Sequence, residues 1–87
     1  MRFLAHVEVR LRPGIADPES ATIERALPAL GFDDVSSLTA GRSFRFEIES
    51  DSAEGAVERA DALAIRLLAN PVMEDAEVVS VSAQVPS

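Results

Sequence analysis

Residues 3–12 alternate between apolar and polar side chains, with apolar residues at the odd positions and polar ones at the even positions from His6 onward. A period of two with one polar face is typical of a half-buried β-strand. The same alternation predicts strands over residues 42–50 and 76–85. A shorter segment, residues 34–39, is interpreted as a further strand. Together these four segments predict one small sheet.

The stretch after the first strand predicts an amphipathic helix that begins at Asp17 and Pro18. Aspartate can accept hydrogen bonds from the free amides at a helix start, and proline at the first helical position lacks a donor that would have no partner there. Apolar residues follow at helical spacing up to Gly31, which favours the left-handed conformation that ends many helices. Pro28 conflicts with this pattern, because it removes an internal hydrogen bond and should kink or tighten the last turn.

A second helix is predicted to begin at residues 51–54, which have a capping-box pattern. It is predicted to end at Asn70-Pro71, because proline cannot continue a helix. The element order is then βαββαβ, which is the ferredoxin-like α+β sandwich. In that fold a four-stranded antiparallel sheet of strand order 4-1-3-2 carries both helices on one face. Ala40 and Gly41 are interpreted as a tight link between the second and third strands, with Gly41 at positive φ.

Length and composition limit the classes of protein to consider. The 87 residues are predicted to form a single domain, residues 1–87, with one thin core and without cysteine to add a disulfide or a thiolate metal site. The net charge of -7 disfavours nucleic-acid binding, which depends on clustered lysine and arginine. No apolar run is long enough to span a membrane and no basic leader precedes an apolar segment, so we expect no membrane contact and a cytoplasmic location.

The residues that usually carry catalysis are sparse. His6 is the only histidine, so a catalytic triad and a metal site both lack a second member. All eight basic residues are arginine, which excludes Schiff-base chemistry and a P-loop lysine. The glycines are isolated and form no nucleotide-binding motif. We therefore expect no catalytic residue, no bound cofactor and no metal ion in this chain.

Three segments carry a specific resemblance to a known family: residues 11–21 (LRPGIADPESA), 30–32 (LGF) and 67–75 (LLANPVMED). Their order and spacing, together with the glycine and arginine at residues 41–42, resemble the PurS family, the small subunits of phosphoribosylformylglycinamidine synthase. The resemblance extends over about residues 3–79. It covers nearly the whole chain.

The resemblance implies that the chain is one subunit of a glutamine-dependent, ATP-consuming ligase of purine biosynthesis. Two partner proteins are implied: a glutaminase subunit (PurQ), which releases ammonia, and a large synthetase subunit (PurL), which holds ATP and magnesium and activates formylglycinamide ribonucleotide. The chain itself would bind no cofactor and would help to assemble the two. The residues expected to contact the partners all lie at turns: Pro13, Gly14, Asp17, Gly41, Arg42, Asn70, Pro71 and Glu74.

Two positions differ from the family pattern. Glu19-Ser20 stands where Gln-Gly is usual, and Ala76 stands where an aromatic residue is common. Two other functions therefore stay open. One is a divergent relative that assembles a different complex, and the other is a small-molecule-sensing regulatory module of the ACT-like type, in which related βαββαβ domains pair and bind amino acids at the joint.

We also expect a homo-oligomer, either a dimer or a tetramer, joined through sheet edges or through the open face of the sheet. The last strand should lie at an edge, and residues 78–85 carry no charge. Such an edge exposes amides and carbonyls that recruit another strand, and soluble monomers usually protect it.

Overall fold

The computed structural model describes residues 1–84, and these form three strands, two helices and two short helical turns. The strands are β1 (Arg2–Leu11), β2 (Gly41–Glu49) and β3 (Glu74–Ala83), and the helices are α1 (Pro18–Ala26) and α2 (Ala53–Leu63). A 3-10 turn, Pro28–Leu30, follows α1, and a π-helical turn, Ala64–Leu68, follows α2. Val85, which we assigned to the last strand, lies outside the described residues.

β1 is the central strand of an antiparallel sheet with the order β2-β1-β3. Its odd-numbered residues from Phe3 to Val9 are buried, whereas the even-numbered ones are half-buried or exposed. The register pairs Val7 with Phe44 of β2 and with Val78 of β3, so the apolar positions of all three strands share one face. The alternation predicted for these three strands is confirmed.

The core lies between this apolar face and α2. Ala56, Ala60 and Ala64 are fully buried, because their small side chains let the helix approach the sheet closely. Ala64 packs with Val7 and Val9 at the centre of the cluster. The burial of these residues is the main source of stability in a chain of this size.

Both helix starts lie within one residue of the predicted positions. Asp17 caps α1 as expected, and Ser52, one residue after the expected cap, accepts a hydrogen bond from the amide of Gly55 at 3.0 Å. The expected effect of Pro28 is confirmed, since the chain tightens there into the 3-10 turn. Gly31 then has a φ of 89°, the left-handed conformation predicted for it.

The sheet has three strands and not the expected four, because residues 34–39 form no strand. No turn or bend interrupts residues 35–41, and Gly41 is the first residue of β2 with no positive φ. Our interpretation of Ala40 and Gly41 as a hairpin link is therefore wrong. Without a reversal of direction, this segment cannot fold back along β2.

Side chains of α1 hold this segment in place instead. The amide of Leu38 donates to the Glu24 carboxylate at 2.7 Å, and the amide of Ala40 donates to the Ser20 hydroxyl at 2.7 Å. Ser37, directly before Leu38, has a φ of 58°, which is uncommon for a residue with a side chain. This segment is thus held by hydrogen bonds to side chains of α1.

α1 also lies away from its expected place on the sheet. Its backbone is within 8 Å of only one other element, the 3-10 turn that follows it. The predicted ferredoxin-like sandwich, with two helices on one face and the strand order 4-1-3-2, is therefore wrong for this chain. The radius of gyration is 16.6 Å, against about 12 Å for a compact chain of this length.

β3 lies at an edge of the sheet, as predicted, but this edge is interrupted. His6 pairs with Ser80 and Val7 pairs with Val78, so Val79 has no partner on β1 and forms a bulge. A bulge twists an edge strand and hinders pairing with a further strand. The expectation of an unprotected edge at β3 is thus not met.

Candidate functional site

The turns named as contact sites come together at one end of the sheet. Because β1 runs antiparallel to both neighbours, its last residues lie beside the first residues of β2 and β3: Arg10 pairs with Gly41, and Leu11 pairs with Glu74. The loop after β1, the start of β2 and the turn before β3 therefore meet. We call this end, residues 10–17, 40–42 and 68–75, the junction.

An ion pair between Arg42 and Glu74 fixes two of these segments to each other. Arg42 Nη2 lies 2.7 Å from Glu74 Oε1 and 3.0 Å from the carbonyl oxygen of Leu68. The same carboxylate oxygen accepts a hydrogen bond from the Asn70 amide at 2.8 Å. The Glu74 side chain is only 14% exposed. The guanidinium of Arg42 also lies over the Phe44 ring, 5.5 Å from its centroid.

The corner at Asn70 and Pro71 is further fixed by Arg12. Its side chain donates to the Pro71 carbonyl oxygen at 2.8 Å and forms an ion pair with Asp75 at 3.1 Å. Within the corner, the Asn70 carboxamide oxygen accepts from the amide of Val72 at 2.9 Å. These hydrogen bonds hold the backbone of the corner.

Gly41 lies where β1 and β2 are too close for a side chain. A Cβ atom at this position would be 2.8 Å from the carbonyl oxygen of Val9 and 3.0 Å from the Cγ of Arg10. Carbon atoms do not approach a backbone oxygen so closely without a shift of the chain. The need for glycine therefore comes from this contact and not from a turn.

Asp17 links the loop after β1 to α1. Its carboxylate accepts hydrogen bonds from the hydroxyl and from the amide of Ser20. The Ser20 hydroxyl, the Ser20 amide and a longer contact from the Ala40 amide all lower the pKa of Asp17, against a small opposing effect of desolvation. The carboxylate is therefore ionised at neutral pH.

Pro13 and Gly14 form the outer part of the junction. Gly14 has a φ of 87°, and a side chain there would meet no atom within 4 Å, so the turn requires glycine for its backbone conformation alone. This loop borders an open cleft of about 510 Å³, which also includes Arg12, Asp17 and Asp75. Exposed backbone, the positive charge of Arg12 and the negative charges of Asp17 and Asp75 therefore all line this cleft.

The sequence reasoning missed Arg12 and Ser20, which hold the junction together. Arg12 is the polar residue that ends the alternation of the first strand, directly before Pro13, and this position is a usable signal for a turn-stabilising arginine. Ser20 is one of the residues that differ from the family pattern, and it is the only buried residue of α1. Sequence alone gives no sign that its hydroxyl accepts from Ala40.

The acidic side chains that begin β3 are engaged in ion pairs. The carboxylates of Glu74 and Asp75 are paired with the guanidinium groups of Arg42 and Arg12, respectively. Elsewhere, His6 Nε2 lies 2.6 Å from Ser43 Oγ, but within residues 1–84 no carboxylate hydrogen-bonds to this histidine to orient it. The described residues contain no group of three metal-binding side chains.

Comparisons with known proteins identify relatives along almost the whole chain. The family model of PurS, phosphoribosylformylglycinamidine (FGAM) synthase, matches residues 4–82. The phosphoribosylformylglycinamidine synthase subunit PurS of Methanothermobacter thermautotrophicus is 38% identical over 78 residues, which are 90% of this chain and 92% of that protein. The corresponding subunit of Archaeoglobus fulgidus is 37% identical over 77 residues, 88% of this chain and 96% of the relative.

Solved structures give the same result. Thermus thermophilus PurS overlays with a TM-score of 0.85 at 30% identity, covering 99% of this chain and 100% of that one. A chain in the structure of PurLQS from Thermotoga maritima overlays with a TM-score of 0.80 at 35% identity, covering 90% and 95%. The extended chain path found here therefore also occurs in solved structures.

Proposed function

This chain belongs to the PurS family of phosphoribosylformylglycinamidine (FGAM) synthase, and from this membership we propose that it is the non-catalytic small subunit of that enzyme. The match of the family model over residues 4–82 carries the proposal. The enzyme is a ligase that uses glutamine and ATP to convert formylglycinamide ribonucleotide into formylglycinamidine ribonucleotide. The relatives reported above are PurS proteins, which gives no support to the ligand-sensing alternative.

The partners in this proposal are the large synthetase subunit PurL and the glutaminase subunit PurQ. The Thermotoga maritima relative was solved as part of PurLQS, and its chain matches 90% of this one. In the proposed complex this chain connects PurQ, which releases ammonia, to PurL, which consumes it. ATP and magnesium are bound by PurL, and this chain contributes no cofactor ligand.

The junction is the proposed contact region for these partners. Its corner displays Val72 and Met73, which are 77% and 42% exposed, and Leu67, directly before the junction, is 73% exposed. Arg12, Arg42 and Glu74 hydrogen-bond to the backbone that carries these apolar side chains, and a backbone that is ordered before binding lowers the entropic cost of association. The ion-paired side chains then position the apolar ones.

Two further features belong to the proposal. We place the assembled enzyme in the cytoplasm, where purine precursors are made; no helix among residues 1–84 has the length and apolarity to cross a bilayer. We also propose that the chain is a homo-oligomer, a dimer or tetramer. The outward sheet face is polar, with Arg2, Glu47 and Glu49 forming ion pairs there, so an edge of the sheet is the better site for self-association than this face.

Co-purification tests the proposed partners directly. The tagged chain, expressed with PurL and PurQ of the same organism, should retain both proteins in the presence of glutamine, ATP and magnesium. The matched variant Val72→Asp places a charge at the most exposed apolar position of the corner and should lower the retained amount at least tenfold. Retention of neither protein by the unchanged chain would refute the proposal.

A further inference from the structure

The turn at the end of α2 contains one residue more than an α-helical turn. The amide of Ala69 donates to the carbonyl oxygen of Ala64 at 2.9 Å, a bond to the fifth residue back instead of the fourth. Ala64–Leu68 is therefore a single π-helical turn. Such turns are rare and often lie at functional sites.

The additional residue determines which of two leucines is buried. Ala56, Ala60 and Ala64 are buried along one face of α2. In an uninterrupted α-helix, the residue seven positions after Ala60 continues this face, and that residue is Leu67. In this chain Leu67 is 73% exposed, and Leu68 packs against the core cluster instead. The π turn thus places Leu67 outside and Leu68 inside.

Both leucines suit the same place in the core. Their side chains are identical, so exchanging Leu67 for Leu68 at that place buries the same amount of apolar surface. The hydrophobic effect therefore does not choose between a π-helical and an α-helical turn. Because the α-helical turn is by far the more common form, contacts outside the turn have to select the π form.

Arg42 makes such contacts. Its Nη2 atom donates at 3.0 Å to the carbonyl oxygen of Leu68, one of the carbonyl groups at a helix end that have no partner within the helix. The same nitrogen lies 2.7 Å from Glu74 Oε1, which also accepts from the amide of Asn70 at 2.8 Å. An α-helical turn would rotate the Leu68 carbonyl away from this nitrogen. The guanidinium therefore stabilises the π form specifically.

We propose that Ala64–Leu68 is a register switch and that Arg42 is the positioning residue that holds it in the π form. While the guanidinium contacts Leu68 and Glu74, Leu67 stays on the outer surface. When the guanidinium is drawn away, the turn becomes α-helical, Leu67 enters the core and Leu68 leaves it. Arg42 is 53% exposed, so a carboxylate presented from outside the chain can compete with Glu74 for it. The switch thus couples contact at the junction to the exposure of an apolar side chain.

Scalar couplings across backbone hydrogen bonds report the register in solution. In the unchanged chain, the amide nitrogen of Ala69 should couple to the carbonyl carbon of Ala64. Arg42→Met removes the guanidinium but keeps an apolar stem, so the coupling to Ala64 should pass to the amide of Leu68. Arg42→Lys keeps one nitrogen that can donate to both acceptors, and it should preserve the original coupling.

Arg10→Met is the matched control, because it removes only an exposed ion pair with Glu77 and should leave the π coupling unchanged. In Arg42→Met, the nuclear Overhauser contacts with the core cluster should also move from Leu68 to Leu67. An Arg42→Met chain that keeps the π coupling and the buried Leu68 would overturn the proposal.

A deletion tests the two registers without changing the arginine. Removal of Leu67 takes out the additional residue, so Leu68 then follows Ala60 by seven positions in a regular α-helix. The shortened chain should keep the amide signals of β1 and β3. Removal of Val57, an exposed residue in the regular part of α2, shifts Ala60 and Ala64 off the buried face and should abolish these signals.

Loss of the sheet signals after removal of Leu67 would show that the α-helical register does not fit the fold, and it would overturn the switch. Each of these measurements uses this chain alone. A negative result therefore leaves the proposed subunit role intact.

Discussion

Arg42 and Glu74 show how a single ion pair can shape a recognition site. The pair joins the first residues of two strands, and the same carboxylate also holds the amide of Asn70. Removing a largely buried carboxylate costs more than removing an exposed one, because the donors that it leaves are less accessible to water. These contacts hold the backbone at Asn70 and Pro71.

The first prediction concerns Glu74. Glu74→Ala should lower the free energy of unfolding by about 2 kcal/mol, because two hydrogen bonds to a charged, mostly buried group are lost. The matched control is Glu77→Ala, which removes an ion pair with Arg10 whose side chains are 52% and 57% exposed, and should cost less than about 1 kcal/mol. Urea denaturation measures both values. Equal effects would contradict the role given to Glu74.

The second prediction concerns Gly41. Gly41→Ala should lower the free energy of unfolding by more than about 1 kcal/mol, because its Cβ would press on the Val9 carbonyl oxygen. Ser43→Ala, on the same strand, is the control and removes only an exposed hydrogen bond to His6. An alanine at position 41 that leaves the urea midpoint unchanged would show that the two strands can move apart freely.

The third prediction concerns pH. Hydrogen bonds from Ser20 lower the pKa of Asp17 below its ordinary value of 3.8. Ionised Asp17 therefore stabilises the start of α1 at all pH values above its unfolded pKa, and this stabilisation is lost as the pH falls through the lower, folded pKa. In a pH titration by NMR, the Ser20 amide should shift with a midpoint below 3.8. Asp17→Asn, which still caps the helix, should abolish this transition. A midpoint above 3.8 would contradict the assignment.

At the scale of elements, the sequence predicts those strands and helix ends that depend on residues close together in the chain. β1, β2 and β3 each begin and end within two residues of the predicted positions, because alternation reports which side of a strand is buried. The caps of both helices are predictable for a similar reason, since Asp17 and Ser52 bond to amides three residues away. The tightened turn after Pro28 also follows from local geometry.

The elements that were predicted wrongly depend on distant contacts. Residues 34–39 have a strand-like pattern, but a strand needs a neighbouring edge, and the chain offers no reversal at Gly41 to reach one. The placement of α1 depends on that strand, so it was wrong for the same reason. Within the site, Pro13, Gly14 and Pro71 lie at turns, as their residue types predict, whereas Gly41 begins β2 and lies at no turn. The role of Ser20 was not predictable, because its partner Ala40 is twenty residues away.

The fourth prediction tests the link between α1 and residues 35–40. Ser20→Ala removes the acceptor for the Ala40 amide, and the loss of one hydrogen bond of about 1 kcal/mol should raise the exchange rate of that amide roughly fivefold. Amides of β1 should be unaffected. Ser80→Ala, at an exposed position on the sheet, is the control. Unchanged exchange at Ala40 would show that Ser20 does not hold residues 35–40.

At the scale of the whole molecule, shape and charge indicate a part of a larger assembly. The chain measures 50 × 34 × 14 Å, and one helix lies off the sheet with its apolar residues exposed. A thin, extended protein has a small core of its own and gains stability by burying further surface against partners. These properties are typical of a subunit of a larger assembly.

The most direct test of this account is reconstitution of glutamine-dependent synthase activity. PurL and PurQ of the same organism are assayed for formation of formylglycinamidine ribonucleotide from glutamine, with and without this chain. The account predicts that the chain alone neither hydrolyses glutamine nor cleaves ATP, and that its addition raises the glutamine-dependent rate of the other two subunits at least tenfold. The same glutamine-dependent rate in the presence and in the absence of this chain would contradict its role as the assembling subunit.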